Sequence, residues 1–182
     1  MIGKKTILLI VVVAVLGFLS FVVDDYVVKF FSDLRTPILN EFMILATDWL
    51  TVAAVAILMP VLLLWAWDEK KWILPLVLSV VVAVGLTYLF KSIFAIPRPE
   101  LGLIAAAGFS FPSGHTATVF SVIPVLNRGF SKLKWFWVGF AFFIGLARLY
   151  VGVHYLSDII FGGLLGYLVG LSIIYFGAEK WK

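Results

Sequence analysis

The stretch WILPLVLSVVVAVGLTYLF, Trp72–Phe90, runs for nineteen residues without a charged side chain. An α-helix needs about 20 consecutive apolar residues to cross the hydrocarbon core of a bilayer. The whole chain has the same character, because 63% of its 182 residues are hydrophobic and only 13% are charged. In soluble domains roughly half of the residues are apolar and about a quarter are charged. The stretch therefore predicts a membrane-spanning helix, and the composition predicts an integral membrane protein.

Five other apolar segments surround this stretch. The six predicted spans are Thr6–Val23, a second within Leu39–Trp67, Trp72–Phe90, a short fourth around Thr116–Leu126 that starts near Pro112, a fifth around Trp135–Leu146, and Tyr155–Phe176. The first span ends in two aspartates without a small-residue cleavage site, so we expect a retained anchor and not a signal peptide. Thr36 and Pro37 have the residue types of a helix cap and a first helical residue ahead of the second span.

The segment DYVVKFFSDLR, residues 25–35, separates the first two spans and has apolar residues at helical spacing. We expect it to form a short amphipathic helix in the membrane interface. The predicted fold is therefore all-α: a polytopic bundle of six transmembrane helices with one interfacial helix after the first span. We expect residues 1–182 to form a single transmembrane domain.

The distribution of basic residues predicts the orientation of this bundle. With six spans, both termini and the loops near residues 68–71 and 127–134 share one side, which carries nine of the fourteen Lys and Arg residues. The positive-inside rule then predicts cytoplasmic termini in the cell membrane. The basic residues form no single run, so we expect membrane lipids and not nucleic acid as partners. The rule disfavours the five basic residues of the opposite face: Lys29, Arg35, Lys91, Arg98 and Arg148.

Three of these five cations, Lys91, Arg98 and Arg148, lie at predicted helix ends and on the same face as both histidines. Ionisable groups so close to hydrocarbon are costly and indicate a functional site. Converging cations form an anion site, and guanidinium groups fit phosphoryl oxygens in a bidentate manner. The turn at Ser113 and Gly114 adds backbone N–H donors at the start of a helix, and glycine permits close approach of an anion.

The two histidines differ in their neighbours. His154 and Asp158 are four residues apart, so on one helix the carboxylate can hold one imidazole nitrogen while the other attacks. His115 is a second imidazole, able to protonate a departing alkoxide. This set predicts phosphoryl transfer through a phosphohistidine. A serine hydrolase is disfavoured, because Ser113 and His115 are two residues apart and no Gly-x-Ser-x-Gly turn is present.

These segments resemble the three signature motifs of the type 2 phosphatidic acid phosphatase superfamily, which includes the vanadium haloperoxidases. The first motif, Lys, six residues, Arg-Pro, is matched by Lys91, Arg98 and Pro99. The second, Pro-Ser-Gly-His, is matched by Pro112–His115. The third, Ser-Arg, five residues, His, three residues, Asp, is matched by Arg148, His154 and Asp158, with Ala147 where the family usually has Ser.

The resemblance implies a role for each matched residue. His154 is expected as the nucleophile, Asp158 as its orienting carboxylate and His115 as the general acid. The expected phosphate-binding residues are Lys91, Arg98, Ser113, Gly114 and Arg148. No metal or other cofactor is expected, in agreement with the surrounding cations, which would repel a divalent ion.

The expected activity is that of a lipid phosphatase with its site on the extracytoplasmic face. A polyprenyl diphosphate such as undecaprenyl diphosphate is the favoured substrate, and phosphatidylglycerophosphate, phosphatidic acid and lipid A phosphates are the alternatives. An anion or lipid transporter without catalysis is the alternative from a different class. Four further residues are candidates for a substrate path: Glu41, Asp48, Glu100 and Phe111. The oligomeric state and the effect of Ala147 stay open.

Overall fold

The computed structural model describes residues 3–177, a range that contains helices and no β-strand. Its α-helices are α1 (Lys4–Ser20), α2 (Asp24–Asp33), α3 (Pro37–Ala46), α4 (Trp49–Ala53), α5 (Met59–Ala66), α6 (Ile73–Phe94), α7 (Gly114–Gly129), α8 (Lys134–Val151) and α9 (Leu156–Phe176). A π-helical turn (Ala54–Leu58) joins α4 to α5, and 3-10 turns (Lys70–Trp72 and Ser131–Leu133) precede α6 and α8. The expected all-α fold is confirmed.

The segment predicted as the second span is divided in two. Thr36 caps α3 through its side chain, which accepts from Leu39 N, and Pro37 is the first helical residue, as predicted. Helix α3 then ends at Ala46, and α4 begins at Trp49. Asp48 caps α4, since its Oδ1 accepts from Leu50 N at 2.9 Å. A corner at residues 47–49 therefore interrupts the apolar run, and we call it the α3–α4 corner.

Four helical segments of the described chain are long and apolar enough to cross a membrane: Trp49–Ala66, Lys70–Phe94, Ser131–Val151 and Leu156–Phe176. The pair α1 and α2, bent by 79°, makes a fifth if it counts as one span. Helix α7, expected as a span, has 16 residues, or about 24 Å at 1.5 Å per residue. The chain is thus an integral membrane protein, and the count of six spans stays a prediction.

Helix α7 is the centre of the bundle, in contact with α6, α8 and α9. Eleven of its sixteen residues are buried. The closest packing is with α9, where a Cβ on Gly166 would collide with the backbone oxygen of Ala117. Small residues of this kind let two helices approach until their backbones touch. The first turns of α7 and α9 consequently meet, and Ser113 N donates to Asp158 O at 3.0 Å.

The amino-terminal helices pack on the outside of this centre, α1 against α9 and α3 against α8. The short helix expected after the first span is present as α2. Asp24, its first residue, is buried and accepts two hydrogen bonds from Ser157, from N at 2.9 Å and from Oγ at 2.6 Å. Arg35 donates to Tyr150 O from Nε at 3.2 Å and Nη2 at 3.1 Å. Both contacts fasten the amino-terminal region to the end of α8 and the start of α9.

Candidate active site

A cavity of about 950 Å³ opens where α6 and α8 end, α7 begins and the α3–α4 corner lies. It brings together eight of the residues singled out in the sequence: Glu41, Asp48, Lys91, Arg98, Gly114, His115, Arg148 and His154. Two more, Ser113 and Asp158, are buried behind this lining. The three cations expected to form an anion site therefore line one cavity, together with both histidines.

His154 and Asp158 form a buried pair at the back of the cavity. His154 Nδ1 lies 3.1 Å from Asp158 Oδ2, which also accepts from Tyr155 N at 2.9 Å. The carboxylate partner assigns the proton to Nδ1 and leaves a lone pair on Nε2. The contact forms although α9 begins only at Leu156, because Asp158 reaches back across the first turn. Its geometry allows Nε2 to attack a group in the cavity.

The turn that carries His154 depends on Gly152. Its φ of +75° lies in the left-handed region, where a side chain is strained. A Cβ at this position would also collide with Arg35 and with the backbone oxygen of Leu101. The glycine therefore allows α8 to end three residues before His154, and the loop from residue 101 passes close to the glycine.

Arg98 contacts the imidazole of His154 at Nε2, the ring nitrogen that does not face Asp158. Its Nη1 donates to Val153 O at 2.8 Å and lies 3.3 Å from His154 Nε2. Nε and Nη2 donate to the backbone oxygens of Gly108 and Ala107, both at 3.1 Å. A guanidinium group has five N–H donors, so Arg98 fixes the loop and also contacts the nitrogen expected to attack.

Lys91 binds the next part of the same loop. Its Nζ donates to the backbone oxygens of Phe109 and of Ser110, the latter at 2.8 Å. Ser110 Oγ in turn lies 3.5 Å from Asp158 Oδ1. Lys91 and Arg98, both expected to bind phosphate, thus also hold the loop that closes the cavity.

Arg148 and His115 line the cavity, and each has a buried polar atom without a hydrogen-bond partner in the part of the chain that the structure describes. Both side chains are at least 94% buried. Arg148 Nη1 donates to Thr47 Oγ1 at 3.3 Å, while its Nε has no partner. His115 Nε2 also lacks a partner, and the ring stacks on Trp49 with centroids 4.0 Å apart and planes inclined by 28°. They contribute two of the four buried side-chain N or O atoms without a partner in the described chain.

Ser113 acts as the helix cap predicted from the sequence. Its Oγ accepts from Thr116 N at 3.5 Å and from Thr116 Oγ1 at 3.0 Å, and the side chain is fully buried. Gly114 lines the cavity next to it, as a close approach of its backbone to an anion requires. The contact of Ser113 with phosphate stays a prediction.

Two of the candidate path residues lie elsewhere. Glu100 is exposed at a turn, and Phe111 is buried beside a separate apolar groove of about 360 Å³ with Pro112 and Phe161. Neither residue lines the main cavity, whereas Glu41 and Asp48 do.

Electrostatics favour the neutral form of His154. Burial first, and then the positive charges of Arg148, Arg98 and Lys91, lower the pKa of His154 well below its usual range. The imidazole is therefore unprotonated at neutral pH. An unprotonated Nε2 is the form that attacks an electrophile.

Sequence reasoning missed two residues that line the cavity, Thr47 and Trp49, and two that hold the helix ends behind it, Asp24 and Arg35. A signal existed for two of them. Arg35 was a basic residue that the positive-inside rule disfavoured, and a polar pair at positions 47–48 inside an apolar run is typical of an interrupted helix. Asp24 and Trp49 gave no such signal.

Comparison with known proteins identifies the family. The family model of the PAP2 superfamily matches residues 72–182. The bacitracin transport permease protein BcrC of Bacillus licheniformis is 39% identical over 66 residues, 36% of this chain and 32% of that protein. The undecaprenyl-diphosphatase BcrC of Bacillus subtilis is 27% identical over 149 residues, 78% of this chain and 77% of that protein.

The fold has a counterpart among solved structures. The crystal structure of the first transmembrane PAP2 type phosphatidylglycerolphosphate phosphatase from Bacillus subtilis superposes with a TM-score of 0.76. The superposition covers 95% of this chain and 97% of that one, at 22% sequence identity. The helical arrangement is therefore shared along nearly the whole of both chains.

Proposed function

Because the chain belongs to the PAP2 superfamily, we propose that it is a membrane-embedded phosphatase that removes phosphate from a lipid phosphate or diphosphate. The reaction passes through a phosphohistidine on His154 and needs no metal. Undecaprenyl diphosphate is the favoured substrate. Its support is the undecaprenyl-diphosphatase of Bacillus subtilis, which matches 78% of this chain.

One observation carries the proposal: two buried residues that line the cavity together with His154 each hold a polar atom without a hydrogen-bond partner among the described residues. His115 Nε2 and Arg148 Nε have no hydrogen-bond partner in the described chain. Leaving a buried polar group unpaired costs roughly 1–3 kcal/mol, and more for a charged group. A phosphoryl group in the cavity relieves this cost, because Arg148 Nε donates to a phosphoryl oxygen and His115 Nε2 reaches the leaving oxygen.

The first chemical step transfers the phosphoryl group to the protein. His154 Nε2 attacks phosphorus, a P–N bond forms, and the bond from phosphorus to the leaving oxygen breaks. That oxygen is the alkyl oxygen of a lipid monophosphate or the bridging oxygen of a lipid diphosphate. Asp158 accepts the Nδ1 proton in a hydrogen bond and stabilises the positive charge that develops on the ring. His115 starts as the imidazolium, and its Nε2 proton passes to the leaving oxygen as the P–O bond breaks. Arg148 neutralises the charge that builds up on the phosphoryl oxygens.

The second step releases phosphate and restores the protein. Water gives a proton to His115 Nε2 and attacks phosphorus, and the P–N bond breaks. His154 Nε2 regains its lone pair, and inorganic phosphate dissociates from the Lys and Arg side chains that bound it. Both histidines then return to their starting protonation states, so the cycle consumes only the lipid phosphate and water.

We propose that this single domain crosses the membrane six times. Helices α1 and α7 would then be short spans, and α2 would lie in the interface. The termini would be cytoplasmic and the cavity extracytoplasmic. This orientation is supported by nine basic residues on the side of the termini against five on the side of the cavity.

A transporter without catalysis is the second candidate, favoured by the similarity to the bacitracin transport permease protein of Bacillus licheniformis. The arrangement of buried charge argues against it. The buried His, Arg and Asp residues of the described chain all lie at the cavity or fasten the segment behind it. A transport path needs polar groups along its length.

Phosphate release from purified protein in detergent tests the proposal. The panel contains undecaprenyl diphosphate, phosphatidylglycerophosphate, phosphatidic acid and lipid A, each measured with and without a chelator. We expect undecaprenyl diphosphate to give the highest kcat/KM, with no loss in the chelator.

His154→Ala is the matched control for this panel, and it should release no phosphate above background. Full activity of this variant would overturn the mechanism. Release of no phosphate from any lipid, together with lipid or anion flux in proteoliposomes, would favour the transporter.

A further inference from the structure

The α3–α4 corner, residues 47–49, touches two site residues that lie on different helices. Trp49 stacks on His115 of α7, and Thr47 accepts a hydrogen bond from Arg148 of α8. We propose that Trp49 is a positioning residue that fixes the His115 imidazole for proton transfer to the leaving oxygen. This inference rests on the proposed function, in which His115 is the general acid.

The stack is the contact that defines the plane of the His115 ring on the cavity side. The ring centroids are 4.0 Å apart, and the planes differ by 28°. His115 Nε2 itself has no hydrogen-bond partner in the described chain. A stacked aromatic face restricts tilting of the imidazole and thereby limits the directions in which Nε2 can point.

The indole also suits the protonated form that a general acid needs. Burial of the imidazole first, and then the nearby charges of Arg148 and Arg98, oppose a positive charge on it. The electron-rich face of a tryptophan stabilises a cation placed over it. Trp49 is thus one neighbour of His115 that favours the imidazolium.

The corner is built to hold this indole in place. Asp48 caps α4 through Leu50 N, so Trp49 is the first residue of a fixed helix. A Cβ on Gly114 would lie 3.9 Å from Trp49 Cζ2, which shows that the indole covers the first turn of α7. Trp49 is nevertheless 48% exposed, so burial in a core does not account for its position.

Thr47 gives the corner its second contact. The side chain is buried, its Oγ1 donates to Met43 O at 2.9 Å and accepts from Arg148 Nη1 at 3.3 Å. The hydroxyl therefore orients the guanidinium that binds phosphate, whereas the indole orients the acid. The α3–α4 corner thus positions both a phosphate-binding group and the general acid.

If Trp49 positions the acid and Thr47 positions Arg148, their variants should differ in how strongly the rate depends on the leaving group. In the first step a proton moves from His115 Nε2 to the leaving oxygen as the P–O bond breaks. An alkoxide needs that proton, while a nitrophenolate leaves without it. A residue that positions the acid therefore matters for lipid phosphates and hardly for an aryl phosphate.

The experiment measures kcat and KM of Trp49→Leu and Trp49→Phe with a dialkyl-glycerol phosphate and with 4-nitrophenyl phosphate. For Trp49→Leu we expect kcat to fall about 10-fold or more on the lipid and less than about 2-fold on the aryl ester. KM should change little, and Trp49→Phe, which keeps an aromatic face, should recover most of the loss. His115→Gln should shift the ratio of the two rates in the same direction.

Two controls keep the test specific. Trp65→Leu removes an exposed tryptophan of α5 and should leave both rates unchanged. Thr47→Val should raise KM for both substrates equally, because it loosens Arg148. Thermal unfolding in detergent shows whether each variant is folded.

The proposal would be overturned if folded Trp49→Leu lost the same factor in kcat on both substrates. It would also be overturned if kcat of Trp49→Phe on the lipid fell as far as that of Trp49→Leu. These outcomes leave the phosphatase mechanism intact. Full activity of His154→Ala on both substrates would instead overturn the proposed function itself.

Discussion

The motif region, Lys91–Asp158, and the amino-terminal region, residues 3–66, contribute to the site in different ways. The motif region supplies the groups that the proposed chemistry uses, and they are spaced by a few residues at helix ends. The amino-terminal region supplies single side chains that hold those groups from outside, such as Asp24 on Ser157, Arg35 on Tyr150 and Thr47 on Arg148. The difference separates two requirements of a catalytic site, reactive groups and their fixed positions.

Replacing the carboxylate behind the nucleophile should give the largest effect on the motif region. Asp158→Asn keeps the shape but favours the wrong tautomer of His154 and removes the charge that balances the imidazolium. We expect kcat for lipid phosphate hydrolysis to fall by about 10³-fold or more. Phosphate release measures it, and Asp33→Asn, which changes an exposed acid of α2, is the matched control. Activity within a few fold of wild type would remove Asp158 from the mechanism.

Loss of the Arg148 guanidinium should have the next largest effect. Arg148→Ala removes one preorganised donor for the phosphoryl oxygens, and we expect kcat/KM to fall about 10²–10³-fold. Arg148→Lys should recover part of this, since the charge remains but the fork is lost. Arg128→Ala, which removes an exposed cation at the other end of α7, should act like wild type. Equal activity of Arg148→Ala and Arg128→Ala would contradict the role of Arg148.

The amino-terminal region should respond mainly in stability. Asp24→Ala leaves the N and Oγ of Ser157 without an acceptor, which should lower the free energy of unfolding by about 1.5–3 kcal/mol. The activity of the folded fraction should fall by less than about 10-fold, because Asp24 does not touch the reacting atoms. Thermal unfolding in detergent measures the first effect.

The neighbouring Asp25→Ala, which changes an exposed carboxylate, should leave both quantities unchanged. If Asp24→Ala instead lost as much activity as Asp158→Asn at unchanged stability, the two regions would not differ as described.

The smallest expected effect is that of moderate acidification. Since burial and the neighbouring cations lower the pKa of His154, its nucleophilic form persists below the usual histidine value of about 6.5. Activity through this group is lost only as pH falls through the lowered value. We expect kcat/KM to change less than about 2-fold between pH 7.5 and 6.5, with a substrate whose ionisation is constant there. A decline centred near pH 6.5 would show an ordinary, solvated histidine.

The sequence predicted the groups of the motif region and their meeting at one cavity. Lys91, Arg148 and His154 all fall at ends of apolar helices on one face, and this placement follows from span length and spacing alone. The cap formed by Ser113 was also visible, because a serine ahead of a glycine and an apolar run is typical of a helix start.

The contacts of the amino-terminal region could not be found in the same way. The partners of Asp24 and Thr47 lie 133 and 101 positions away in the chain, and the periodicity of one sequence carries no information on such pairs. The long apolar run from Leu39 to Trp67 also concealed the α3–α4 corner, because hydrophobic length does not reveal where a cap interrupts a helix. Only the packing of α4 on α7 in the folded bundle brings Trp49 onto His115.

The most direct test of the mechanism is a rapid-quench measurement of the covalent intermediate. Wild-type protein and His154→Ala are mixed with lipid diphosphate labelled in its terminal phosphate, quenched within the first turnover in alkali, and digested for mass spectrometry. We expect acid-labile, alkali-stable phosphate on the peptide that contains His154 in the wild type, and none in the variant. A full first turnover without labelled protein, or a label on another residue, would contradict the account.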